Sequence, residues 1–90
     1  MALYMVVEHF RGHEREIYRR FRERGRQMPD GLTYVSSWVQ EDFARCFQLM
    51  QTEDRALLDE WISHWKDLAD FEVQVVVTSA EAAARMAARL

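Results

Sequence analysis

The sequence predicts an α+β domain in which two helices cover one face of a four-stranded antiparallel sheet, in the order β-α-β-β-α-β. The main observation lies in residues 54–77 (DRALLDEWISHWKDLADFEVQVVV), where helical spacing of apolar side chains changes within a few residues to a nearly continuous β-branched run. Two further strand-like stretches around a short polar segment predict a hairpin. Ninety residues suffice for a single domain, which we expect to span residues 1–90.

The first half of the chain is predicted to form a strand, a helix and the hairpin. Residues 3–10 (LYMVVEHF) are aromatic and β-branched and predict the first strand. Apolar residues at helical spacing predict a helix over residues 14–28, which ends because Pro29 disfavours helical geometry before it. Residues 32–39 and 44–51 are the predicted strands of the hairpin.

The second half is predicted to form the organising helix, a strand and a short helical extension. Two tryptophans and the neighbouring leucines share one stripe of the helix, and Asp54 is expected to cap its N-terminus. Residues 71–78 predict the fourth strand. An alanine-rich C-terminal helical extension over residues 79–90, capped by Ser79, buries little surface, so we expect it to pack on a neighbour or to fray.

Alternation along the four strands sorts their side chains onto two faces of the sheet. A purely apolar set is expected beneath the helices: Met5, Val7, Val35, Val39, Phe47, Leu49, Val73, Val75 and Val77. The opposite set mixes aromatic, carboxylate and amide groups: Tyr4, Val6, Glu8, Tyr34, Ser36, Trp38, Cys46, Gln48, Met50, Glu72, Gln74 and Val76. A face of that composition is typical of a surface that meets a partner or a ligand. A shift of one residue would exchange the two sets.

Charge and cysteine content restrict the classes of function. The net charge is −3, yet residues 11–26 carry seven arginines against three glutamates, so one surface is basic on an acidic protein. The single cysteine cannot form an internal disulfide, and the stretch MALYMVVEHF has neither the basic leader of a signal peptide nor the length of a membrane span. These features predict a cytoplasmic protein with no membrane partner. A small chain without a disulfide or zinc site is expected to gain stability by oligomerisation.

The strand TYVSSW, the strand-to-helix passage CFQLMQTEDRALLDEW and the ending WKDLADFEVQVVVTSAEA resemble a small bacterial family labelled as a domain of unknown function. The resemblance covers residues 3–82 and extends to the dimeric α/β-barrel superfamily. It implies a ferredoxin-like subunit whose sheet packs against that of a second copy, so that the mixed faces line a barrel interior. Members of that superfamily include cofactor-free monooxygenases, haem-degrading enzymes, small isomerases and effector-binding domains. The resemblance transfers no catalytic residue.

The mixed face holds the candidate site. Glu8 and Glu72 are the candidate catalytic groups, because burial would raise a carboxylate's pKa into the range of a general base. The candidate pocket side chains are Tyr4, Tyr34, Ser36, Trp38, Cys46, Gln48 and Gln74. We therefore expect a homodimer that binds a small, partly aromatic or anionic organic molecule between its sheets, with no tightly bound cofactor. One alternative is a cofactor-independent monooxygenase or isomerase with a carboxylate base. Another is a structural or interaction dimer without a ligand.

Other readings of the same residues remain open. Glu8 and Glu72 could be solvated or paired with arginine at strand ends, and Cys46, with no evident base beside it, reads as a buried inert thiol. No metal is expected, because adjacent strand residues such as Glu8 and His9 point to opposite faces. Glutamates are interspersed among the arginines of the first helix, so we expect no nucleic-acid partner. A basic rim that attracts an anionic small molecule is the milder interpretation.

Overall fold

The computed structural model describes residues 2–90, which form one four-stranded antiparallel sheet and three helices. The strands are β1 (Ala2–His9), β2 (Thr33–Val39), β3 (Arg45–Thr52) and β4 (Asp70–Val76), and the helices are α1 (Glu14–Arg24), α2 (Arg55–Ser63) and α3 (Ser79–Ala87). The strand order across the sheet is β2-β3-β1-β4. This is the ferredoxin-like βαββαβ arrangement, so the predicted fold class is confirmed. Within residues 2–90, no helix has the length and apolarity needed to cross a membrane.

Helix α1 is shorter than its apolar spacing predicts. It ends at Arg24 because Gly25 adopts φ +67°, a left-handed conformation that glycine tolerates, while the Gly25 N–H still donates to the Phe21 carbonyl oxygen at 2.7 Å. Helix α2 begins where the sequence predicts, since the Asp54 carboxylate accepts the Ala56 N–H at 3.0 Å.

Helix α3 lies outside the core. Its N-cap is Thr78, whose hydroxyl oxygen accepts the Glu81 N–H at 3.1 Å, and not Ser79 as the sequence suggested. Every residue from 79 to 90 is exposed, including Met86 on the apolar side of the helix. The helix therefore extends from the edge strand β4 as an arm that the rest of the chain does not cover.

The hydrophobic core lies between the sheet and the helices α1 and α2. Its buried members are Tyr4, Val6, Phe10, Ile17, Leu32, Cys46, Met50, Leu58, Trp61, Trp65, Leu68 and Ala69. Arg20 joins α1 to the segment that follows α2. Its guanidinium donates to the two Asp67 carboxylate oxygens at 2.8 and 2.7 Å and to the His64 carbonyl oxygen at 2.9 Å.

In the two central strands, the helices cover the face that the sequence assigned to the open side. The covered residues of β1 and β3 include Tyr4, Val6, Glu8, Cys46, Gln48 and Met50, whereas Met5, Val7, Phe47 and Leu49 lie partly exposed on the other face. The prediction was wrong because both strands are apolar on both faces. Only the polar Glu8 and Gln48 then distinguished the two faces, and they were assigned to the open side although they are buried. Strand β4 alternates clearly, and Val73 lies on the helix side with Glu72 and Gln74 outside, as predicted.

A β-bulge at Val35 changes which residues of β2 face the helices. Tyr34 pairs with the covered side of β3 and Ser36 with its open side, so Val35 has no partner in the ladder. Tyr34, Ser37 and Val39 therefore face the helices, and Ser36 and Trp38 face outward. Val35 was predicted to be covered and is instead 45 % exposed.

The side of the sheet without helices, which we call the open sheet face, is mainly apolar. Its apolar members are Leu3, Met5, Val7, Trp38, Phe47, Leu49 and Val76. At its β4 edge the His9 imidazole forms a hydrogen bond with the Glu72 carboxylate at 3.1 Å. Trp38 is 56 % exposed, so a large aromatic surface remains uncovered by this chain.

Candidate functional site

The predicted site residues are divided between the two faces of the sheet. Three of them, Glu8, Cys46 and Gln48, line a pocket between the sheet and the helices. Tyr4 and Tyr34 face the same side but lie outside the pocket lining. Ser36, Trp38, Glu72 and Gln74 lie on the open sheet face. The two candidate catalytic carboxylates thus point to opposite sides of the sheet, and the prediction that they converge is wrong.

The pocket encloses a cavity of about 90 Å³ and is open to solvent on one side. Its lining comes from α1, α2, three strands and the segment after α1, and consists of Glu8, Phe10, Ile17, Tyr18, Phe21, Arg26, Ser37, Val39, Cys46, Gln48, Trp61 and Trp65. Tyr18 and Phe21 form its outer wall, because α1 does not press them fully against the sheet and leaves them about two-fifths exposed. Aromatic walls around a few polar groups are typical of small-molecule sites.

Glu8 is the carboxylate of the pocket, and it lies beneath the helices with 9 % of its surface exposed. Among residues 2–90, the ion pairs include none to Glu8. Burial raises the pKa of Glu8 from its ordinary value of 4.5 to about 7, and the positive charge of Arg26 opposes this shift only in part. The carboxyl group therefore exchanges its proton much nearer to neutral pH than an exposed glutamate does, so it can serve as a proton donor or acceptor there.

Apart from Arg26, the polar groups of the pocket near Glu8 are uncharged. The Gln48 side-chain amide donates to the Met50 sulfur at 3.0 Å, a weak acceptor that a ligand oxygen could replace. Burial, and next the charge of Glu8, raise the pKa of the Cys46 thiol to about 12. Cys46 is therefore a thiol and not a thiolate at neutral pH, which supports a packing role over nucleophilic chemistry. Burial also raises the pKa of the Tyr18 hydroxyl.

Nine residues of the pocket lining were not predicted as site residues, and Arg26 is the charged one among them, because the pattern grouped it with the solvated arginines of α1. The indole N–H groups of Trp61 and Trp65 both donate to its backbone carbonyl oxygen, at 2.9 and 3.1 Å. Its guanidinium carbon lies 3.8 Å from the centre of the Tyr34 ring and 5.0 Å from that of Phe21. Gly25 was the signal in the sequence, because a glycine often ends a helix. A residue after it, such as Arg26, then no longer lies on the arginine-rich face of α1.

The donor set of the pocket suits an organic molecule better than a metal ion. Within residues 2–90, no cluster of three or more histidine, cysteine, aspartate and glutamate side chains is arranged to hold a metal. The pocket instead combines one carboxyl group, one guanidinium, one amide, one thiol and two hydroxyls with aromatic walls. Such groups orient a small ligand by hydrogen bonds and by charge.

The comparisons with known proteins point to one family. A family model described as a domain of unknown function (DUF3303) matches residues 2–90. The matched range includes all four strands, the three helices and every residue of the pocket. No curated protein and no solved structure matches the chain.

Proposed function

The chain belongs to the DUF3303 family of domains of unknown function, as its sequence motifs indicated, and we propose that it binds a small organic molecule between its sheet and its helices. The observation that carries this proposal is the placement of Glu8, a buried titratable group in the wall of an aromatic cavity. Burying a carboxyl group without an ion pair disfavours folding, so such a group is typical of a binding or catalytic site.

The sequence predicted a ligand between the sheets of two subunits. We now propose that the ligand binds inside one subunit, in the pocket between its sheet and its helices. The lining residues of one chain are enough to form this cavity. The wall that closes it combines Trp61 of α2, Trp65 of the turn after α2 and the aromatic residues of α1. The same residues that stabilise the sheet-to-helix packing therefore shape the pocket.

Benzyl alcohol is a suitable first probe, because it is neutral and has a single ring. We expect it to shift the indole N–H resonances of Trp61 and Trp65 in a ¹⁵N-labelled sample and to leave that of Trp38, on the open sheet face, unchanged. Ser37→Phe, which fills the pocket, should abolish the shifts. Its matched control is Ser36→Phe, one residue away on the other face, which should preserve them.

Loss of binding in both serine variants, or a shift confined to Trp38, would contradict a pocket on the helix side. Two-dimensional spectra of the variants without the probe show whether each still folds. Native mass spectrometry of the freshly purified protein adds an independent readout, because a resident ligand would appear as extra mass on the chain.

Proton-transfer catalysis is the second candidate, and the pKa of about 7 at Glu8 favours it. A general base works best when its pKa lies near the working pH. In this version Glu8 would abstract a proton from an enolisable or phenolic substrate, without a cofactor. The Glu8→Gln variant distinguishes an enzyme from a binding module. In either kind of protein the variant would still bind the small molecule. If the natural protein is an enzyme, the variant would also lose its turnover.

We also propose that the domain forms a homodimer through its open sheet face. Four strands of seven or eight residues give a face of roughly 500 Å², less than the ~800 Å² per partner of a typical stable interface. Helix α3 offers further apolar surface on Ala83 and Met86, and the exposed Leu90 follows three residues after the end of the helix. The arm therefore completes the interface by packing on the second copy.

A further inference from the structure

The backbone at Arg26 is held in an unusual conformation. Gly25 and Gln27, on either side, both adopt left-handed geometry, with φ of +67° and +58°. A left-handed conformation is strained for a non-glycine residue, and such strain is concentrated at functional sites. Two tryptophan indoles donate to the single carbonyl oxygen between these residues, which fixes the peptide in place. The two indole hydrogen bonds thus hold the backbone of Arg26 in one position, although this residue lies in a loop.

The Arg26 guanidinium faces the pocket without an acidic partner. Among the described residues 2–90, ion pairs engage Arg11, Arg20, Arg55 and Arg85 and none engages Arg26. Its flat face lies against the Tyr34 ring at 3.8 Å, which leaves its N–H edge free to bind an anion. Arg20, on the other side of α1, shows the contrast, because its guanidinium edge is filled by the two Asp67 oxygens.

The remaining charged and titratable groups that face Glu8 determine what the pocket accepts. Helix α1 contributes Tyr18, the segment after α1 contributes Arg26 and strand β3 contributes Cys46. Helix α2 contributes the ring of Trp61, the turn after it contributes the ring of Trp65, and β2 contributes a serine and a valine. With Glu8 protonated, the pocket carries one positive charge and two hydroxyl groups, so an anion is the complementary ligand.

We infer that the ligand of this pocket is a small organic acid of about one ring, bound as its carboxylate, with the anion on Arg26 and the ring between Phe10, Phe21 and Trp65. This inference rests on the proposed function and specifies its ligand class. The cavity of about 90 Å³ is smaller than the ~150 Å³ that holds benzene in an engineered protein core, so part of the ligand remains at the open side. The protonated carboxyl of Glu8 donates to the carboxylate, and the amide of Gln48 is a second donor.

The binding of such an acid depends on pH. An ionised Glu8 repels a carboxylate in the same pocket, so the anion binds the form in which Glu8 keeps its proton. Since the pKa of Glu8 is about 7, affinity falls as pH rises through neutrality. Near that pH the complex takes up a proton from solution, because the ligand stabilises protonated Glu8.

Isothermal titration with sodium benzoate tests the inference, with benzyl alcohol as the neutral probe of the same size. Between about pH 6 and about pH 8.5, benzoate affinity should fall at least tenfold, since one proton on a group of pKa about 7 is linked to binding. Benzyl alcohol affinity should change little. In Glu8→Gln, which cannot ionise, the benzoate affinity should be nearly the same at both pH values.

Arg26→Gln should weaken benzoate binding about tenfold or more and leave benzyl alcohol binding unchanged. Arg24→Gln is the matched control, because it removes an exposed arginine outside the pocket, and it should bind both probes as the natural protein does. If Arg26→Gln folds poorly, Arg26→Lys provides the same test with the charge retained, and should recover part of the benzoate affinity.

Equal affinity for benzoate and benzyl alcohol, or benzoate binding that Arg26→Gln leaves intact, would overturn the organic-acid inference while the pocket proposal stood. Benzoate affinity that rises with pH would also overturn it, because Glu8 would then bind the ligand in its ionised form. Failure of both probes to bind at either pH would overturn both the inference and the proposed function.

Discussion

Glu8 makes the stability of this protein depend on pH in a direction opposite to that of most carboxylates. Folding raises its pKa from 4.5 to about 7, so between these values the native state holds a proton that the unfolded chain has released. The free energy of unfolding from this group therefore falls as pH rises through that window and levels off above about pH 7. The size of the effect is about 3 kcal/mol at most.

Urea denaturation at about pH 5 and about pH 8 measures this effect when the natural protein is compared with Glu8→Gln. The variant keeps the shape of the side chain and lacks the titration, so its stability should change less between the two pH values. An identical pH dependence of the two proteins would show that Glu8 ionises in the native state as it does in water.

The residues of the pocket also show where prediction from the sequence stops. Glu8 and Gln48 were recognised as chemically important, but a polar side chain on an apolar strand was expected to face outward. Arg26 was not recognised, because its role depends on the left-handed backbone around it and on two tryptophans that lie 35 and 39 residues away in sequence. Contacts of that range leave no local pattern.

At the scale of elements, the sequence predicted the order and type of every strand and helix and failed on the faces of the central strands. Strand β4 alternates phenylalanine and valine with glutamate and glutamine, and its faces were predicted correctly. Strands β1 and β3 have large apolar residues on both sides, since one side packs beneath helices and the other forms the open sheet face. Alternation carries no information in such strands.

The connection from α1 to β2 contains a glycine whose replacement tests how closely α2 packs on it. Gly31 has φ +93°, and a Cβ atom there would lie 2.8 Å from the Leu57 side chain. Gly31→Ala should lower the free energy of unfolding by about 2 kcal/mol, the sum of backbone strain and displacement of Leu57. Gly12→Ala, at φ +80° with no atom within 4 Å, should cost only the strain, about 1 kcal/mol.

Chemical denaturation of the two variants measures the difference. Repeating the comparison in a Leu57→Ala background isolates the contact, because the clash at Gly31 is then absent and the two substitutions should cost the same. A larger cost for Gly31→Ala that persists without the Leu57 side chain would locate the penalty in the backbone alone.

At the scale of the whole molecule, the open sheet face predicts the oligomeric state. Trp38→Glu places a charge on the largest exposed aromatic side chain of the proposed interface and should convert a dimer to a monomer in sedimentation equilibrium. Val75→Glu is the matched control, because Val75 is 69 % exposed on the helix side of the sheet, and this variant should remain dimeric. A natural protein that sediments as a monomer at all concentrations would contradict the proposed homodimer.

The bulge at Val35 also affects how this protein avoids uncontrolled aggregation. Strands β2 and β4 are the edges of the sheet, and a regular edge invites the addition of further strands, which can continue without limit into a fibre. Val35 interrupts the ladder of β2, and Asp70 and Glu72 place negative charge on β4. When two open sheet faces pack together, neither copy has a free face left for a third. We therefore expect concentrated solutions of this protein to resist fibril growth.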